Sequence, residues 1–267
     1  MKRNLYFIWL TGIIFMVTTG CKKNNLNSTG QPVVQAYLLA GHPITVNLYQ
    51  QKSLTDTANY GPAITGQQLY ISDGSKQIQL TETTKGTYTS NDSTFLVSGK
   101  TYSLSFKYLS QTVSAKTVMP YKPQNFQTQY GQVYYENDKN TTRGEIDTLN
   151  KFTWDNPDSL NHVLVFDNIE KTTLPLRAGI ISNSGSYQFI MQADRKSVYF
   201  VESDSFPYYG NFQVVLLSVN QEYADLLKSN TLGSNSQNLL NTPTNVVNGI
   251  GIFTAFQSDT LSFILRY

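Results

Sequence analysis

Few side chains in this sequence are equipped for chemistry, and their spacing narrows what they can do. There are two histidines, His42 and His162, and one cysteine, Cys21. A serine hydrolase needs a histidine beside a nucleophile, with an acid behind the ring. His42 lies in Ala40-Gly41-His42-Pro43, a turn ahead of a strand, and His162 leads into the apolar run Val163 to Phe166. No Gly-x-Ser-x-Gly elbow accompanies either, so both read as structural or exposed. No His-x-x-x-His spacing points to a metal, and one cysteine excludes a multi-Cys zinc site and a disulfide framework. No metal or cofactor is expected. Carboxylates pair at Glu136/Asp138, Glu145/Asp147, Asp155/Asp158 and Glu202/Asp204. A glycosidase needs two carboxyls roughly 5–9 Å apart across a cleft, and sequence spacing selects none of these. On a strand, Glu202 and Asp204 would share a face, as a calcium site might require; solvated strand ends are the plainer reading. Phosphate-cradling glycine loops and basic-aromatic stripes are absent from the sequence.

Aromatic residues carry the stronger signal. Tyr130, Tyr134 and Tyr135 cluster, and Phe206-Pro207-Tyr208-Tyr209-Gly210 has the composition of an exposed turn. Tyrosine offers a large contact area and a hydroxyl at low entropic cost. Tyr134, Tyr135, Tyr208 and Tyr209 are therefore the candidate residues for binding a ligand or partner. The alternative is that they cover sheets. Trp154 is expected in the core.

The elements that must position these residues follow a leader. Lys2 and Arg3 precede a 13-residue apolar run, Leu5 to Val17, broken only by Thr11 and Gly12. This is shorter than the ~20 residues of a spanning helix and fits a signal-peptide core. Thr18-Thr19-Gly20-Cys21 then resembles a lipoprotein signal, which makes residues 1–20 the signal peptide and Cys21 the lipidated terminus. Residues 21–31 read as a polar tether, reaching roughly 30 Å at ~3.3 Å per residue. Lys and Arg total 20 against 18 Asp and Glu, and without Lys2 and Arg3 the two signs are equal. So balanced a chain is not drawn to nucleic acid or anionic lipid by its field.

Beyond the tether, period-2 alternation dominates. It runs through Tyr102 to Tyr108, Ile44 to Leu48 and Leu261 to Leu265, with turn signals at Asp73-Gly74, Lys85-Gly86, Ser98-Gly99 and Asn183-Ser184-Gly185. Phe212 to Leu217 is apolar on both faces, as in a central strand. Asn220 to Ser229 alone has helical spacing, with Asn220 as its cap. Pro120 and Pro123 interrupt strand ladders and place a boundary near residues 119–125. The expected fold is all-β, with an N-terminal β-sandwich over 32–120 and a β-rich domain over 121–267. Thr231 to Thr244 reads as a long polar loop, and Gly249 and Gly251 as a tight turn or close backbone approach.

Short motifs together resemble the DUF4249 family of Bacteroidetes lipoproteins. They are Val33 to Leu38, Gly86-Thr87-Tyr88, Gly99 to Leu104, Val113 to Pro120 and, most specifically, Pro243 to Phe253 (PTNVVNGIGIF). The first part is also similar to the carboxypeptidase-regulatory, Ig-like sandwich. Phe152-Thr153-Trp154-Asp155-Asn156-Pro157 resembles the second strand of fibronectin-type modules. The resemblance implies a lipid-anchored, outer-membrane-associated protein that accompanies TonB-dependent transporters, with the membrane reached through Cys21. It carries over no catalytic residues. The expected function is thus a non-enzymatic envelope lipoprotein binding a ligand or partner, its side of the membrane open. A structural or adhesive surface protein and a hydrolase with a carboxylate site are the alternatives.

Overall fold

The computed structural model describes residues 30–52, 57–136, 147–176, 187–231 and 243–267. The expected signal peptide, Cys21, Asp138, Glu145 and most of the 231–244 loop lie outside them. Residues 31–267 cluster as one compact unit.

The body is all-β. Its strands are β1 (Pro32–Leu39), β2 (Ile44–Gln50), β3 (Leu69–Ser72), β4 (Gln77–Thr84), β5 (Thr87–Ser90), β6 (Thr101–Tyr108), β7 (Gln111–Val118), β8 (Gln124–Thr128) and β9 (Gln132–Tyr134). They continue with β10 (Thr148–Asp155), β11 (Asn161–Asn168), β12 (Leu174–Pro175), β13 (Tyr187–Asp194), β14 (Val198–Glu202), β15 (Tyr208–Val219), β16 (Val246–Val247) and β17 (Ile250–Arg266). Among the described residues one α-helix, α1, spans Gln221–Thr231.

The alternation read from the sequence places every second side chain inside. Val34, Ala36 and Leu38 of β1 face the same core as Val46 and Leu48 of β2, and these pack against Leu69 and Ile71 of β3 and Tyr102, Leu104 and Phe106 of β6. Strand β4 pairs with β5 on one side and β3 on the other, joining the two layers of this sandwich. A second core lies between β11, β15 and the end of β17 on one side and the separate sheet β14-β10-β8 on the other. Phe166, Phe212 and Phe263 meet Phe152 and Trp154 there. The turns expected at Asp73-Gly74, Lys85-Gly86 and Ser98-Gly99 are present, and Asn183-Ser184-Gly185 lies outside the described residues. Asp73 Oδ1 accepts the N–H groups of Ser75 and Lys76, and Lys100 Nζ bonds Asp73 Oδ2 at 2.6 Å. Those donors hold the Asp73 carboxyl far below the usual carboxylate range.

Strand β17 links the two cores. Its first half pairs parallel with β1, and its second half pairs antiparallel with β15. Phe253 and Ala255 pack in the first core, whereas Phe263 and Leu265 pack in the second. The two parts are therefore not consecutive stretches of chain. Residues 119–123 do lie outside any strand, but Val246, Phe253 and Ala255, expected beyond the boundary, complete the first core.

The Pro243–Phe253 motif explains how the chain returns. Asn245 exchanges both hydrogen bonds with the backbone of Phe253, donating to its carbonyl at 2.7 Å and accepting its N–H at 3.0 Å. Its side chain thereby takes the place of a strand neighbour. Gly251 has φ +111, and a Cβ there would lie 2.0 Å from the Val34 carbonyl oxygen, so the close approach expected of this glycine is present. Helix α1 starts on the carbonyl of Asn220, which accepts from Tyr223 and Ala224. The Asn220 side chain does not cap it. It donates instead to Thr117 Oγ1 and the Val118 carbonyl of β7, and tertiary bonding wins over the local cap.

Candidate functional site

The structure divides the four candidate tyrosines. Tyr134 at the end of β9 is 74% exposed. Tyr135 is half-buried against the second core. Tyr208 and Tyr209, expected on an exposed turn, are only 8% and 5% exposed, which corrects that expectation. They open β15 and pair with Pro175 and Leu174 of β12. Tyr208 meets Tyr187 edge-on at 5.1 Å, and the Tyr209 hydroxyl donates to the Tyr135 carbonyl at 2.9 Å. The proline and glycine that suggested a turn serve other ends. Pro207 O accepts the Leu176 N–H, and Gly210 makes room for a side chain.

Tyr134 and Tyr209 nevertheless meet at one open cleft of about 430 Å³, with Glu170, Leu174, Arg266 and Tyr267. Strands β9 and β17 pair in parallel with Tyr134 opposite Arg266. Arg266 Nη1 bonds Glu170 Oε1 at 3.2 Å and Nη2 donates to Asn211 Oδ1 at 2.9 Å, fixing the guanidinium plane. Glu170 is placed in turn by Asn168, which is fully buried. Asn168 Oδ1 accepts the Glu170 N–H at 3.1 Å, and its Nδ2 donates to the Tyr209 carbonyl at 3.0 Å. A Cβ on Gly210 would sit 2.5 Å from both terminal atoms of Asn168. On the rim, Tyr267 is 70% exposed and stands edge-on to Tyr209 at 5.9 Å, and its hydroxyl donates to Glu136 at 3.3 Å. The cleft thus offers exposed aromatic faces beside an oriented, internally neutralised ion pair.

Sequence reasoning missed Arg266, Tyr267 and Glu170. A signal for Arg266 was present, since Leu261, Phe263 and Leu265 face the core and Arg266 is out of phase with them. Glu170 had none, because it lies in the irregular stretch between β11 and β12.

None of the other candidates lines this cleft. His162 is buried, and its Nδ1 lies 3.0 Å from the Leu160 carbonyl. A carbonyl only accepts, so Nδ1 carries the proton and Nε2 accepts from Ser218 Oγ at 3.2 Å. This pairing of cross-strand neighbours was not expected. The carboxylate of a triad is replaced here by a backbone carbonyl, and burial depresses the His162 pKa, which weakens it as a base. Asp155 and Asp158 line the same small pocket of about 190 Å³. Glu202 ends β14 while Asp204 lies in a 3₁₀ turn, so they do not share a strand face. Among the described residues no three His, Cys, Asp or Glu side chains are grouped to hold a metal. His42 is exposed and Trp154 is buried.

Residues 23–262 match the family described as a domain of unknown function, DUF4249. The chain belongs to this family. No curated protein matches this DUF4249 chain in sequence. Among solved structures, the chicken CNTN1 FN1–FN3 domains superpose with a TM-score of 0.29 at 10% identity, covering 89% of this chain and 68% of that one. Trypsin-activated alpha-2-macroglobulin from Escherichia coli gives 0.22 at 13% identity, covering 72% and 14%. Among the described residues no helix is long and apolar enough to cross a membrane.

Proposed function

We propose that this DUF4249 chain is a lipoprotein of the cell envelope, acylated at Cys21, that binds a ligand or partner at the Tyr134–Tyr267 cleft. The cleft carries the reading. Exposed aromatic surface rimmed by oriented polar groups is the composition of binding hot spots, and Tyr134 and Tyr267 have no core to serve at 74% and 70% exposure. With positive and negative charges nearly equal, long-range attraction contributes little and local shape must supply the affinity. The role that fits is a non-enzymatic accessory of a TonB-dependent outer-membrane transporter. Capture from native outer membranes tests it. The wild-type chain should retain a barrel partner or a small molecule that the Tyr134→Ala/Tyr267→Ala variant loses. Equal recovery with both proteins would refute the cleft as the site.

A further inference from the structure

Resting on that reading of the cleft as a binding site, we infer that its ligand is a neutral saccharide. The exposed rings of Tyr134 and Tyr267 offer π-faces against which the C–H face of a pyranose packs. Beside them the Arg266–Glu170 pair sets donors and acceptors next to each other at 3.2 Å, and Asn211 holds the guanidinium in place. Vicinal hydroxyls, each both donor and acceptor, satisfy such a pair; the guanidinium has five N–H groups and the carboxylate several lone pairs to share. The pair is also already neutral. A phosphate, sulfate or uronate would meet the Glu170 carboxylate beside Arg266 and the Glu136 carboxylate at the Tyr267 hydroxyl. An extended peptide is the other occupant to weigh. Strand β9, whose side chains border the cleft, is three residues long, too short an edge to register an added strand by main-chain hydrogen bonds. A sugar needs no such edge.

The test is isothermal titration of the full chain in a detergent without a sugar headgroup. The probes are maltohexaose, cellohexaose, mannohexaose and xylohexaose, with trigalacturonate as the charged counterpart. At least one neutral oligosaccharide is expected to bind. Tyr134→Ala/Tyr267→Ala should weaken it by about tenfold or more, and Arg266→Lys should also weaken it, because lysine keeps the charge but loses the planar fork. Both tyrosines are exposed, so an unchanged melting temperature will show that the double variant is folded. Silence from all four neutral probes, or tighter binding of trigalacturonate, overturns the inference. A photo-crosslinking residue at Leu174, which borders the cleft, separates that failure from failure of the site. A protein crosslinked there without saccharide binding refutes the sugar and keeps the cleft. Neither crosslink nor binding refutes both.

Discussion

Replacing Gly210 by alanine should disable the cleft from beneath, through Asn168. The new Cβ would lie 2.5 Å from both Oδ1 and Nδ2 of Asn168, well inside van der Waals contact. Asn168 is fully buried, so its side chain has no solvent to swing into. Overpacking of this kind costs about 1–3 kcal/mol. If Asn168 shifts, the Tyr209 carbonyl and the Glu170 N–H lose the hydrogen bonds it makes, at about 0.5–1.5 kcal/mol each. The cheaper of these two responses, plus strain of about 1 kcal/mol or more for a side chain at φ +153, makes Gly210→Ala alone cost about 2–4 kcal/mol. Asn168→Ala should cost a similar amount by deleting the same two bonds. The double variant should cost more than Asn168→Ala only by the strain of a side chain at φ +153, because the clash disappears with the Asn168 side chain. The expected coupling is about −2 kcal/mol, within the range of residues in direct contact. Gly131→Ala is the control, since a Cβ there meets nothing within 4 Å. Chemical denaturation followed by tryptophan fluorescence gives the four free energies. If the Gly210 and Asn168 effects simply add, the chain of support from β15 through Asn168 to Glu170 is wrong.

Four further outcomes follow from the same geometry. Gly251→Ala should destabilise more than Gly41→Ala by about 2 kcal/mol or more in urea melts: both have positive φ, but only at Gly251 does the Cβ strike backbone, the Val34 carbonyl. Stability should fall in two stages on acidification: His162, its pKa lowered by burial, costs up to about 1.4 kcal/mol per pH unit as pH drops below ~6.5, while the lowered Asp73 carboxyl stabilises above ~4 and loses that contribution as pH falls through its folded value. A His162→Gln variant whose stability still falls between pH 6.5 and 5 with the wild-type slope contradicts the first stage. A fragment ending at residue 120 should lack cooperative unfolding by circular dichroism, because it leaves out Val246, Phe253 and Ala255; adding residues 243–257 as a separate peptide should restore it, since that segment pairs parallel with β1 and cannot be fused directly ahead of it. Mass spectrometry of membrane-extracted protein should find acylated Cys21, and a Cys21→Ala chain that still fractionates with membranes refutes the anchor.

What the sequence disclosed and what it hid differ by the range of the interaction. Alternation is local, and β2, β6 and the end of β17 fall where it places them with the inward residues it selects, because a strand needs only one apolar face to choose its orientation. Gly251 was readable for the same reason: the positive φ it adopts is a property of the residue. Tyr208 and Tyr209 were misread because proline and glycine signal a turn only when no strand competes for the intervening backbone. Here Leu174 and Pro175, over thirty residues earlier, supply that strand. The helix cap failed likewise, since Asn220 had a better offer from β7.

The cleft lies further still from any local rule. Its charged pair joins residues 170 and 266, and its orienting amide joins 168 to the backbone of 209. Each of these is an ordinary loop or strand-end residue in its own window of sequence. What brings them together is strand β17, whose outward Arg266 reaches the cleft because Phe263 and Leu265 are drawn into the second core and Phe253 and Ala255 into the first. The apolar residues of that strand set its position, and the polar residue between them inherits a place beside Tyr134. If this is the order of causes, Arg266→Ala should remove binding while leaving β17 in register, whereas Phe263→Ala should lose register and binding together.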